Sequence, residues 1–264
     1  DGFTLASNAG TNGSGNNIAS WNWKAGGGQG SSNTDGSINT TYTSANTTAG
    51  FSISTYTGTG SNATFGHGLG AAPEMVIVKC LNDAQNWFIY HQGIGATKVI
   101  YLDLNNAQQT LSQGWNNTAP TSSVVSIGTE AGVNQNGNLY VAYCFKEKTG
   151  YSKFGSYTGN GSSSSPAFIY TGFKPKFVIV KCTNEADEWF MHDDKRDGYN
   201  DDNEYLFASV TNVEGTNTNR IRLLSNGFSV PTTDKSHNKS GNSYIYMAFG
   251  QSIVGTNNIP ATAR

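Results

Sequence analysis

Apolar residues recur at every second position in short runs, and Gly, Asn and Ser separate the runs. In FVIVKC, Phe177 and Ile179 fall on one face of a strand and Val178, Val180 and Cys182 on the other. Both faces are apolar, which predicts a strand buried between two layers. Similar runs lie at 86–91, 98–102, 139–145, 167–171, 188–192, 219–224 and 243–249. Turn signals stand between them: Asn136-Gly137, Asn226-Gly227, Ser240-Gly241-Asn242 and the glycine-rich stretch 66–70. No stretch carries the 3.6-residue period of an amphipathic helix of ordinary length. The pattern predicts an all-β chain of short strands.

The pattern also repeats. VIVKC occurs at 76–80 and again at 178–182, a shift of 102 positions that carries Pro73 onto Pro175, Lys79 onto Lys181 and Trp87 onto Trp189. GFSISTYTGTG (50–60) answers GYSKFGSYTGNG (150–161), and GNLYVAYCF (137–145) answers GNSYIYMAF (241–249). The period is too long for a solenoid, whose units run about 20 to 50 residues, so each copy is expected to be a domain with its own core. Six to eight short strands per copy indicate a β-sandwich, with jelly-roll and immunoglobulin-like topologies both open. The N-terminal GFTLASNAGTNGSGNNIASWNW (2–23) matches GFSVPTTDKSHNKSGNSYIYMAF (227–249), as the end of a preceding repeat. The expected division is therefore 1–24 as that truncated end, 25–49 as a flexible Gly/Ser/Thr/Asn-rich linker, 50–148 and 149–252 as two tandem sandwiches packed stiffly end to end, and 253–264 as a tail. The chain begins with Asp1, which reads as a fragment or processed product, and Ile18, Trp21 and Trp23 are expected to belong to a domain completed upstream.

Composition narrows the function classes. With 12% aromatic and only 13% charged residues the chain is unlike disordered sequences, and its polarity comes from turn formers, 32 of them Gly. A net charge of -2 without a basic cluster argues against nucleic acid as a partner. The longest apolar runs fall short of the roughly 18 residues of a membrane helix, so no membrane insertion is expected.

Three cysteines cannot all pair within the chain. Cys80 and Cys182 are position-matched and Cys144 corresponds to Ala248, so buried free thiols are preferred to a Cys80–Cys144 disulfide. His91 and His192 end equivalent strands and His67 sits in a turn. No metalloprotease, nucleophile-elbow or phosphate-loop motif is present, so no catalytic residue is assigned and the chain is read as a non-enzyme. The acidic stretch HDDKRDGYNDDNE (192–204) offers Asp197, Asp201, Asp202 and Glu204 as candidate calcium ligands, although the spacing departs from the EF-hand and Lys195 and Arg196 lie among the acids as counter-charges. Calcium is the one cofactor considered. Trp115 and Tyr199 have no counterpart in the other repeat, and loop aromatics beside Asn and Asp suit sugar binding. Asp194, Arg196, Asp197, Tyr199 and Asp201, with Trp115 as a second patch, are the candidate ligand contacts.

GHGLGAAPEMVIVK (66–79), GWNNTAPTSSVVSIG (114–128), YVAYCFKEKTGYSKFGSYTGNG (140–161), YTGFKPKFVIVK (170–181), KRDGYN (195–200) and the terminal IPATAR together resemble repeated β-sandwich domains in tail and virion structural proteins of marine tailed bacteriophages. Those domains are similar to concanavalin A-like and SPRY-like sandwiches. The resemblance implies a virion location and a tail fibre or related appendage that adheres to a host-surface glycan or protein. It also implies other virion proteins as partners and self-association as a homo-oligomer, a trimer in most appendages. Two alternatives stand beside it: a capsid decoration or head-fibre protein without a receptor, and a polysaccharide depolymerase.

Overall fold

A computed structural model describes residues 3–196, 200, 204–216 and 219–252. In the first half the strands are β1 (Tyr42–Asn46), β2 (Phe51–Thr57), β3 (Ala63–Gly66), β4 (Met75–Cys80), β5 (Phe88–His91), β6 (Lys98–Tyr101), β7 (Gln109–Thr110), β8 (Val124–Ile127) and β9 (Leu139–Phe145). The second half has β10 (Ser152–Thr158), β11 (Ala167–Tyr170), β12 (Phe173–Cys182), β13 (Trp189–Asp193), β14 (Leu206–Phe207), β15 (Arg222–Leu224), β16 (Gly227–Val230) and β17 (Ser243–Ser252). Helix among the described residues is confined to single turns, α1 (Ala9–Asn12), α2 (Ser112–Trp115) and α3 (Ala131–Asn134). The fold is all-β, as the alternation predicts.

Two large antiparallel sheets carry the architecture, ordered β1-β2-β9-β4-β5-β6-β7 and β10-β17-β12-β13-β14. Each half adds a small sheet, β3-β8 in the first and β11-β16-β15 in the second. The central order β2-β9-β4-β5 is matched by β10-β17-β12-β13, and the registers agree: Val76 lies opposite Cys144 and Val178 opposite Ala248.

Side-chain alternation explains how the layers stack. Val76, Val78 and Cys80 point with Tyr140, Ala142 and Cys144 toward β3 and β8, where Phe65, Val125 and Ile127 complete a first core. Val178, Val180 and Cys182 do the same with Tyr244, Tyr246 and Ala248 toward Ile169, Leu223, Phe228 and Val230 of the second small sheet. The other faces meet each other. Met75, Ile77, Ile89, Ile100 and Phe145 pack against Phe177, Ile179, Trp189, Ile245, Met247 and Phe249 in one shared core, and Phe145 meets its counterpart Phe249 at 6.0 Å between ring centres. The molecule is thus a stack of four layers, small sheet, large sheet, large sheet, small sheet.

This corrects the expected end-to-end stacking of separate domains: the halves lie face to face. Polar bonds at the rim lock the register between them. Trp189 Nε1 donates to Tyr101 O at 2.7 Å, Lys181 Nζ donates to Asn105 O at 3.1 Å, and Gln108 N donates to Thr183 O at 2.8 Å. Trp21 and Trp23 close one side of the shared core, Trp21 on Phe177 at 5.4 Å and Trp23 on Phe249 at 5.4 Å, whereas Ile18 stays exposed.

The expected flexible linker at 25–49 is likewise corrected. Its residues 31–46 form a strap on the first half. β1 pairs with β2 along its length, Ile38 is buried beside Phe65, and Ser31 bridges to Thr43. The close approach depends on Gly36, where a Cβ would lie 2.4 Å from Thr64 O. All three cysteines are free and buried, as expected, and burial pushes the Cys144 thiol up to about 12.

Candidate functional site

The outer face of β11-β16-β15 is the most distinctive exposed surface. Alternation on β11 buries Ile169 in the core beneath and turns Phe168 and Tyr170 outward, 50% and 59% exposed. The two rings rise from one strand face about 7 Å apart, the two-residue strand repeat. Cross-strand register sets Phe168 in a row with Ser229 and Arg222, and Tyr170 with Gly227 and Leu224. Gly227 makes room: a Cβ there would meet Phe168 Cζ at 3.0 Å. The matched first-half positions are Thr64 and Gly66, approached by Ser37 and Asn33 of the strap. Sequence reasoning missed this aromatic pair. The alternation in AFIY, compared with ATFG of the first half, carried the signal.

The loop after β13 borders the same small sheet. Asn200 Nδ2 donates to Leu223 O at 3.1 Å and its Oδ1 accepts from Leu223 N at 2.9 Å, extending the edge at β15. The loop is fastened at its start by Asp193, whose carboxylate accepts from Lys195 N at 2.9 Å, Arg196 N at 3.1 Å and Arg196 Nε at 2.7 Å. Burial pushes the Asp193 carboxyl upward, but these hydrogen bonds and the guanidinium outweigh it and hold the group below its ordinary range. Arg196 also bonds Glu214, donates to Met191 O at 3.2 Å and lies 5.9 Å from the centre of the Trp21 ring.

The sequence candidates separate accordingly. Asp194 is partly exposed and paired with Lys176 at 2.9 Å. Arg196 is corrected from a ligand contact to the fastener of the loop, because its donors are spent internally. Trp115 is corrected outright. It is 1% exposed, since α2 tips the indole into the first core, where it meets Tyr90 edge-on at 6.0 Å. Asp197, Tyr199, Asp201 and Asp202 lie outside the described residues. Glu204, the remaining candidate calcium ligand, is half-buried next to Tyr205. Among the described residues no three His, Cys, Asp or Glu side chains gather as a metal cage.

Beneath this surface lies a buried polar chain that the first half lacks. His192 Nε2 and His237 Nε2 are 2.9 Å apart, and Ser236 Oγ lies 2.8 Å from His237 Nδ1. Arg220 bonds Ser236 Oγ, pairs with Asp234 at 3.1 Å and lies over the rings of Phe190 and Tyr205 at 5.3 and 5.0 Å. Tyr90 and Val133 occupy the matched first-half positions. Burial, with Arg196 and Arg220 adding to it, pushes His192 down to about 3, and burial, then His192 and Arg220, holds His237 well below its ordinary value. At neutral pH the pair is therefore uncharged, one ring donating to the other. With both rings 0% exposed no substrate reaches them, and the chain acts as a packing element of the core.

An open groove of about 440 Å³ runs between residues 24–29 and the β1-β2 edge, lined by Lys24, Gln29, Tyr42 and Thr55 among others. Its Ser44 hydroxyl is already spent on Gly28 O at 2.6 Å and Gly26 N at 3.1 Å, which leaves few convergent groups for a ligand.

The family described as "Domain of unknown function (DUF7483)" matches residues 1–252, and the chain belongs to that family. No curated protein and no solved structure matches it.

Proposed function

Starting from a family without an assigned function, we propose that the chain is a non-enzymatic structural module of a tailed-phage virion. In this reading it is part of a tail fibre or related appendage and binds a host-surface glycan through the outer sheet of its second half. The resemblance of its sequence motifs to virion domains supports the setting. One observation carries the recognition role: Phe168 and Tyr170 stand exposed side by side, where the first half has Thr64 and Gly66. Paired rings offer apolar faces to the C–H face of a pyranose, while Arg222 and the Asp194 side of the acidic loop supply polar groups that orient hydroxyls. Such a contact is weak singly. Several copies on one appendage raise its strength through effective concentration.

The test is binding of the labelled protein to a glycan array and to host cells, with and without chelator, beside the double variant Phe168→Ala/Tyr170→Ala. The expected result is a loss of at least about tenfold, some 1.4 kcal/mol, with an unchanged melting temperature. Equal binding by the folded double variant contradicts the assignment, and the decoration-protein reading then takes its place. Binding that also falls on chelation shows that it needs a divalent cation.

A further inference from the structure

The two halves differ in how their sheet edges are covered. In the first half the strap covers two edges at once. Along β2, β1 pairs as a full strand and Thr41 N reaches Thr55 O at 2.7 Å. Along β3, Ile38 N donates to Thr64 O at 2.9 Å and Thr64 N donates to Ser37 Oγ at 2.9 Å. Ile38 itself is buried in the first core.

In the second half β10 and β11 are edge strands, and among the described residues no strap pairs with either of them. The bond from Thr171 N to Asn226 O sets the phase of β11 on β16, so the backbone groups of Phe168 and Tyr170 point away from the sheet. The bond from Gly250 N to Tyr151 O does the same for β10 on β17, turning Ser156 and Thr158 outward. Among the described residues only the Phe154 carbonyl on this edge is taken by the first half, accepting from Gln92 Nε2 at 2.5 Å. Tyr157 feels the missing cover: it is only partly buried, whereas the matched Tyr56 is 1% exposed. Only residues 146–151 separate β9 from β10, too few to form a second strap. An unpaired edge with outward N–H and C=O groups is a template for another strand.

We propose that the β10 and β11 edges of the second half dock an extended segment of a different polypeptide, by strand addition. The strap defines its chemistry: rich in Ser and Thr with Asp35 as its single charge, a hydroxyl to cap the N–H of Phe168, an aliphatic residue next to it as anchor, and a Gly where the backbones approach closely. A Gly also replaces Asn33, whose Oδ1 lies 1.6 Å from where a Cβ at Gly66 would be and where the second half has Tyr170. Main-chain hydrogen bonds supply the affinity and the anchor supplies the register. The site uses the backbone of β11, whereas the proposed glycan contact uses its rings, so the two stand or fall separately.

A labelled peptide of residues 31–48 with Asn33→Gly, SSGTDGSINTTYTSANTT, is the probe, titrated with the full chain by fluorescence anisotropy. Saturable uptake is expected, weakened at least about tenfold in Phe168→Pro and in Ser156→Pro, each of which removes one outward N–H at an edge that tolerates proline. Two variants guard against failure of one to fold. Phe168→Ala/Tyr170→Ala keeps the backbone edge and is expected to take up the peptide. Absence of uptake by the native chain, or equal uptake by both folded proline variants, overturns the proposal. Self-association that Phe168→Pro abolishes, without peptide uptake, also overturns it, in favour of edge pairing between copies.

Discussion

All four histidines of the chain are buried, none more than 1% exposed. Burial lowers His67, His91 to about 4, His192 to about 3, and His237. A histidine whose folded pKa lies below its unfolded value takes up its proton on unfolding, so its neutral form stabilises the fold above about pH 6.5, and this stabilisation is lost as pH falls toward the folded value. Each such group steepens the loss by up to about 1.4 kcal/mol per pH unit. We expect the denaturant midpoint to hold from pH 8 to 7 and to drop steadily from pH 6.5 to 4. His192→Tyr/His237→Val, which installs the first-half residues, is expected to flatten that slope, and an unchanged slope would show that the pair does not carry it. The sequence disclosed only part of this. His91 and His192 were readable as packing residues at the ends of equivalent strands, but the register matches His192 with Tyr90 and His91 with Asp193, and the partnership of His192 with His237 joins positions 45 apart, which no periodicity reports. Trp115 misled for a related reason. QGWNNTAP reads as an exposed turn, yet one helical turn aims the indole inward.

At the scale of elements, strands with two apolar faces were legible because alternation leaves a direct trace. The strap was not. Its contacts are hydroxyl and backbone hydrogen bonds, such as Thr43 Oγ1 to Ser54 Oγ at 3.0 Å and Thr64 N to Ser37 Oγ at 2.9 Å, and these need the same Ser, Thr and Gly that fill flexible linkers. Ile38 is its single buried apolar side chain, too little to signal a folded element. Ile38→Ala is expected to cost about 2–5 kcal/mol and to speed amide exchange along β1 and at Ile38 itself. A change within about 0.5 kcal/mol, the range of neutral surface substitutions, would mean that the strap rests on the first half without stabilising it.

For the whole molecule, the alternation correctly indicated strands buried between layers, but it could not say that the second layer of each large sheet is the other large sheet. Matched repeats give both halves the same apolar face, and nothing in either face states whether it meets a copy in the same chain or another element. The shared core decides how the surface is presented. Thirteen buried residues of the described chain line it. At roughly 1.5–3 kcal/mol each, exposing that face outweighs the about 5–15 kcal/mol by which a domain is ordinarily stable. The halves therefore form one rigid body, and the outer sheet of the second half is held at a fixed attitude to the first. Scanning calorimetry of the full chain at neutral pH tests this most directly. One transition with calorimetric and van't Hoff enthalpies equal within error is predicted, and Met247→Asp, which places a charge in the shared core, should lower that single transition as a whole. Two resolved transitions, with only the second half's shifted by Met247→Asp, would contradict it and return the halves to independent domains.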